Sequence, residues 1–316
     1  MTGHPEIDGA ITAESPLGTT GEATYSGVLS LFRRRYAKDP VGADVAVLGI
    51  PYDLAVTNRP GTRFGPRAIR AASTQLAWQG GAWRWDFDPF ERLHVVDTGD
   101  CAFDPGHPDG VPGEIETEAA RIIAAGARLL SLGGDHFVTY ALLKAHAARH
   151  GSLGLIQFDS HSDTWREDPR RIDHGTMFFH AVEEGIIDPG RSVQLGIRSA
   201  NRESHGITIL DADWVIDHRP EEVAARISEV VGNGPAYLTF DIDFLDPAHA
   251  PGTGTPVCGG PSVNTAERIL CSLSGLDLVG MDVVEVAPAY DVAEITALAA
   301  ATMALNMICL WAAARN

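Results

Sequence analysis

The strongest constraint on this chain is a rhythm of short, predominantly apolar runs. They fall at residues 43–50, 93–97, 128–131, 153–158, 192–195, 236–240 and 276–281, and helical stretches separate most of them. Residues 65–72 open a helix whose first turn suits Pro66, 114–127 form an alanine-rich helix, and 294–314 read as a long closing helix. Apolar strands that alternate with helices predict an α/β chain with a mostly parallel sheet covered on both faces. Residues 1–25 are polar and read as a tail, or an arm on a neighbouring subunit. With no repeat or linker beyond them, residues 26–316 read as one domain.

Composition removes several function classes. A formal net charge of −18 and a pI near 4.9 disfavour phosphate backbones and anionic lipid, and favour a cationic substrate on approach. Cys101, Cys258, Cys271 and Cys309 form no CxxC pair, which argues against structural zinc and a disulfide framework. The N-terminus lacks the apolar core of a signal peptide, and no apolar run reaches the roughly 18 residues of a membrane span. The expectation is a cytoplasmic, soluble protein with no nucleic-acid or membrane partner.

Four polar clusters directly follow four of the expected strands: Gly133-Gly134-Asp135-His136, residues 159–163, Asp241-Ile242-Asp243 and residues 282–285. In an open parallel sheet the ligand site lies beyond the carboxyl ends of the strands, so the four clusters are expected to meet. If residues 159–163 are extended, Asp159, His161 and Asp163 share one face while Ser160 and Ser162 turn aside. Asp241 and Asp243 repeat that pattern, and His136 completes four carboxylates and two imidazoles. Such a set is too acidic to bury bare. Two divalent cations would cancel the four aspartates, and an oxygen-rich set without thiolate suits Mn²⁺. Ions about 3.5–4 Å apart can activate and orient a water. His146 and His150, four apart on an expected helix, read as surface histidines, as do His94, His180, His205, His218 and His249.

At this point the sequence resembles the ureohydrolase family, which includes arginase, agmatinase and guanidinobutyrase. The resemblance runs from about Asp44 to the end of the last helix. It rests on Gly61-Thr-Arg-Phe-Gly-Pro-Arg-Ala-Ile69, the clusters at 133–136 and 159–163, Asp173-His-Gly175, Thr239-Phe-Asp-Ile-Asp-Phe-Leu-Asp-Pro247, Pro251-Gly-Thr-Gly-Thr-Pro256 and Gly280-Met-Asp-Val-Val-Glu285. It looks closest to the bacterial agmatinases. The resemblance implies a three-layer α/β/α sandwich assembled as trimers or hexamers. It also implies one Mn²⁺ held by His136, Asp159, Asp163 and Asp241, and another by Asp159, His161, Asp241 and Asp243. His174 falls at the family's proton-shuttling histidine, Glu285 at its guanidinium-binding carboxylate, and Asp163 would pass a proton to the leaving amine. The family usually has alanine at Ser160 and often threonine at Ser162; both side chains are expected to point away from the metals.

The implied reaction is hydrolysis of a small guanidino compound to urea and a primary amine, with agmatine giving putrescine as the first choice. Alternatives are 4-guanidinobutyrate or 3-guanidinopropionate as substrate, a single-zinc deacetylase, and an inactive metal-binding partner subunit. The segment 164–173 follows the ligand cluster and is expected to meet the far end of the substrate. It carries Arg166, Arg170 and Arg171 against Glu167, Asp168 and Asp173, either self-paired in solvent or with an arginine turned inward to welcome a carboxylate.

Overall fold

The computed structural model describes residues 23–79, 82–166, 171–201 and 203–315. Its strands are β1 (Arg35–Tyr36), β2 (Val45–Ile50), β3 (Val95–Asp100), β4 (Arg128–Gly133), β5 (Gly154–Phe158), β6 (Val193–Ile197), β7 (Thr208–Asp211), β8 (Ala236–Asp241) and β9 (Leu278–Val284). The helices are α1 (Gly65–Ser73), α2 (Pro89–Arg92), α3 (Val111–Ala124), α4 (Val138–His150), α5 (Met177–Glu183), α6 (Ala212–Asp217), α7 (Pro220–Val231), α8 (Val263–Cys271) and α9 (Ile295–Ala313). Among the described residues the strands form one sheet in the order β1-β3-β2-β4-β9-β8-β5-β6-β7, with every pairing parallel.

Alternation along β2 shows why the sheet needs cover on both faces. Val45 and Val47 belong to the apolar cluster that includes α1, α7, α8 and α9, while Ala46, Leu48 and Ile50 belong to the one that includes α3, α4 and α5. The result is the three-layer α/β/α sandwich that the apolar rhythm and the resemblance together imply. β1 and β7 are not foreshadowed by apolar runs. Both lie at sheet edges, where a strand needs neither length nor two apolar faces. α3 starts three residues before the expected Glu114, with Pro112 in its first turn, and ends at Ala124.

One expectation is corrected by α9. Its 19 residues have a mean hydropathy of 1.8 and are long and apolar enough to cross a membrane, yet 83% of the window is buried inside the protein. Its apolar surface covers the sheet. The expected tail at 1–25 lies almost wholly outside the described residues.

Register brings the chemistry to one level. Phe158 pairs with Phe240 and Phe240 with Val283, so Asp159, Asp241 and Val284 follow at one level at the carboxyl ends of β5, β8 and β9. In sheet order β4, β9, β8 and β5 are consecutive neighbours, and they carry all four polar clusters. Gly134, just past β4, lets the chain turn tightly: its N–H donates to Ile50 O at 2.8 Å and its carbonyl accepts from Glu285 N at 2.9 Å. A Cβ there would overlap the Tyr52 carbonyl oxygen. Gly134→Ala is therefore expected to cost about 1–3 kcal/mol, the range for overpacking a closed site. Urea denaturation of the two proteins measures the difference.

Candidate metal centre

The centre is built from polar residues that the sheet delivers into its own interior. His136 is 1% exposed. Its Nε2 lies 2.8 Å from Thr239 Oγ1, and that hydroxyl donates to Asp282 Oδ1 at 2.6 Å. The Thr239 oxygen is thus left to accept, which puts the ring proton on Nε2 and a lone pair on Nδ1. Nδ1 has no hydrogen-bond partner, although it lies 3.0 Å from Asp159 Oδ2, 3.0 Å from Asp163 Oδ2 and 3.3 Å from Asp241 Oδ2. A lone pair facing three carboxylate oxygens is a repulsive arrangement unless a cation lies between them. Without one, a proton takes its place: burial opposes the charged ring, but the three carboxylates raise the His136 pKa well above its ordinary value.

A second group adjoins the first. His161 Nδ1 lies 3.1 Å from Asp243 Oδ2 and 3.5 Å from Asp159 Oδ1. The ligand atoms of His136, Asp159 and Asp241 fall within 4.8 Å of one another, and so do those of Asp159, His161 and Asp243. Asp159 belongs to both groups, so the geometry fits two adjacent cations with a shared carboxylate. The donor set is oxygen-rich, with one imidazole per group and no thiolate, as suits Mn²⁺ better than structural zinc.

Local hydrogen bonds orient these ligands. Gln157 Nε2 donates to Asp159 Oδ2 at 2.7 Å, and Gln194 Nε2 holds Gln157 Oε1 at 2.6 Å. Asp243 N donates to Asp241 Oδ1 at 2.8 Å. Asp163 adopts φ +52° and Glu285 φ +65°, left-handed conformations that bulky residues seldom take. The stretch 159–163 is therefore not extended throughout: Asp163 reaches its neighbours by a local reversal. Burial, and then the charge of Asp159, push its carboxyl up to about 6.

Beside the metal groups stand His174 and Glu285. Glu285 Oε1 accepts from His136 N at 2.8 Å and from His174 Nδ1 at 3.1 Å, while Oε2 is buried with no partner. Burial works against a charged His174, but the hydrogen bond and charge of Glu285 carry its pKa up to about 9. Thr57 N–H, however, donates to His174 Nε2 at 3.0 Å, which requires a lone pair there. The geometry therefore describes the neutral ring, with its proton on Nδ1. A cavity of about 300 Å³ opens onto His161, Asp163, Asp241 and His174, and Trp165, Arg171 and Asp173 complete its wall.

Several expectations need correction. Asp282 does not follow its strand; it lies within β9, fully buried, and accepts from Thr139, Thr239 and Tyr237 hydroxyls. Ser160 does not turn aside: its Oγ donates to Asp243 Oδ1 at 2.7 Å and lies 3.0 Å from His161 Nδ1. Ser162 is buried, and its Oγ has no hydrogen-bond partner. His146 is fully buried, its Nδ1 bonded to Leu142 O, and burial lowers its pKa to about 4. His180 is also buried, against Arg171 O. Both pack against apolar neighbours that one helix's spacing does not reveal. Arg171 pairs with Asp173 at 2.7 Å, the Arg166 guanidinium lies 5.8 Å from the Phe179 ring centre, and Arg170 lies outside the described residues. The sequence alone gives no role to Thr57 or Gln157, and marks Asp135 and Thr239 only as members of their motifs. Gln157 and Thr239 announce themselves as polar residues inside apolar runs; Thr57, in a loop, gives no such signal.

The chain is similar in sequence and fold to known proteins. The agmatinase of Chromobacterium violaceum is 53% identical over 305 residues, covering 96% of this chain and 94% of that one. The agmatinase of Edwardsiella ictaluri is 53% identical over 271 residues, covering 86% and 89%. The crystal structure of a hypothetical agmatinase from Burkholderia thailandensis superposes with a TM-score of 0.92 at 54% identity, covering 96% of each chain. Proclavaminate amidino hydrolase from Streptomyces clavuligerus superposes at 0.88 with 35% identity, over 93% of this chain and 100% of that one. The arginase family model matches residues 43–309, and with the fold and the paired His/Asp groups in place, this chain belongs to the arginase family.

Proposed function

We propose that this chain hydrolyses a small guanidino compound to urea and a primary amine at a dinuclear manganese centre, with agmatine as the preferred substrate. The observation that carries this reading is Glu285 Oε2, a buried carboxylate oxygen with no partner beside two groups of metal-type ligands. A guanidinium offers the planar, charged fork of donors that such an oxygen lacks. Agmatine is supported by the agmatinases at 50–53% identity and by the net charge of −18.

His136, Asp159, Asp163 and Asp241 would hold one ion, and Asp159, His161, Asp241 and Asp243 the other. Bound there, divalent ions supply Lewis acidity and a nucleophilic water at neutral pH. The remaining work falls to side chains. Glu285 binds and orients the guanidinium, held in place by His136 N and His174. Asp163, which lines the cavity, takes up a proton and passes it to the leaving nitrogen. His174 exchanges protons with solvent between turnovers. His136 in one group and Asp243 in the other favour a two-ion hydrolase over a single-zinc deacetylase.

Arg171 favours a second reading of the substrate tail. It lines the same cavity and pairs with Asp173. An ammonium tail would compete with Arg171 for Asp173, whereas a carboxylate tail, as in 4-guanidinobutyrate, would pair with Arg171 directly.

Five outcomes test these assignments. Elemental analysis is expected to find about two Mn²⁺ per chain, with activity lost on chelation and restored by Mn²⁺. Asp243→Ala should lose one ion and retain the other, because Asp243 belongs to one group only; loss of neither would refute the assignment. Glu285→Gln should lower kcat/KM by about 30-fold or more, equivalent to the ~2–5 kcal/mol of a buried charge partner, with metal content unchanged. Across agmatine, 4-guanidinobutyrate, 3-guanidinopropionate and arginine, agmatine should give the highest kcat/KM. Arg171→Gln should shift the ratio of agmatine to 4-guanidinobutyrate upward by about fivefold, the ~1 kcal/mol of a largely exposed charge.

A further inference from the structure

His174 is 8% exposed, yet in the reading above it must exchange protons with solvent. The residue that joins it to solvent is Thr57, which is exposed and lines the same cavity. Thr57 meets one ring atom twice: its N–H donates to His174 Nε2 at 3.0 Å, and its Oγ1 lies 2.8 Å from that nitrogen. The amide suits the neutral ring, which offers a lone pair. The hydroxyl suits the charged ring, because Oγ1 can accept from Nε2–H. One residue therefore provides a partner for each protonation state.

The loop around Thr57 is fastened on both sides. Ala55 N donates to the buried Asp135 Oδ2 at 3.0 Å, Asn58 Nδ2 donates to Gly254 O at 3.1 Å, and Gly61 N donates to the buried Asp53 Oδ2 at 2.9 Å. These bonds anchor the loop on either side of Thr57 and hold it against the ring. The other ring nitrogen is taken by Glu285, and the carboxylates of Asp163 and Asp135 act on the ring from farther away. Nε2 is thus the face of His174 open to exchange.

We propose that the Thr57 hydroxyl is the relay through which His174 exchanges its proton with solvent. In the outward step the Nε2–H bond breaks as a new Oγ1–H bond forms, and the hydroxyl's original proton passes to water or buffer. Each electron pair stays on its heavy atom, and one proton leaves the site. The inference rests on His174 serving as the proton exchanger of the proposed reaction.

The test compares Thr57→Val, which keeps the amide and the β-branched shape, with Thr57→Ser, which keeps the hydroxyl. In dilute buffer Thr57→Val should lower kcat by about tenfold, part of the 100-fold or more that a positioned proton-transfer group contributes. KM and metal content should be unchanged, and added imidazole should restore the rate. Thr57→Ser should stay close to wild type. Unchanged kcat in the valine variant, or a loss that imidazole does not repair, overturns the relay. A second readout needs no turnover: ¹⁵N-histidine NMR titration of the metal-free full chain. There Thr57→Val should lower the His174 pKa by about 0.5 unit, because the charged ring loses its acceptor, and Thr57→Ser should not. An unshifted His174 in the valine variant overturns the relay even if the wild type releases no urea, which would itself refute the proposed hydrolysis instead.

Discussion

The structure depends on how four carboxylates tolerate burial together. Asp159, Asp163, Asp241 and Asp243 are all 7% exposed or less, and they converge at the ends of adjacent strands. Bare carboxylates in that setting repel one another and lose hydration, at a cost of several kcal/mol for each ion. Two imidazoles with Nδ1 turned inward make sense as partners of the same cations, since neutral imidazole adds donors without adding charge. The parallel sheet is the means of assembly, because it brings residues distant in sequence to one edge with their spacing fixed by strand register.

Around that centre lies a layer of polar groups whose work is orientation. Thr239 and Asp282 fix the His136 ring, Gln157 and Gln194 steady Asp159, and Ser160 steadies Asp243. Each bond is short and buried, where a misplaced polar atom is costly. The left-handed backbones of Asp163 and Glu285 store strain at the residues that would handle the proton and the guanidinium. Loop residues then close the cavity from the far side, with Thr57 against His174 and Arg171 against Asp173.

Much of this was legible in the sequence because two periodicities coincide with physical necessity. Apolar runs between helices can only be strands covered on both faces, and polar clusters directly after them must lie at the sheet's carboxyl edge. That reasoning places His136, Asp159, His161, Asp163, Asp241, Asp243 and Glu285 together. It misplaces Asp282, since a strand that continues three residues further carries the aspartate inside the sheet. It misses Ser160, because alternation assumes an extended chain and the backbone reverses at Asp163. Edge strands β1 and β7 lack an apolar signature, and the burial of His146 depends on the small Gly280 and the Tyr237 ring across the interface, which helix spacing cannot show. Thr57 acts through its backbone as much as its side chain, so residue type alone does not mark it.

The inward-facing nitrogens of His136 and His161 fit two cations that share Asp159. Diffraction from crystals grown with Mn²⁺, recorded at the manganese absorption edge, tests this fit most directly. Two anomalous peaks roughly 3.5–4 Å apart are expected, one ligated by His136 Nδ1 and the other by His161 Nδ1, with Asp159 between them. A single peak, or one bound through neither nitrogen, would contradict it.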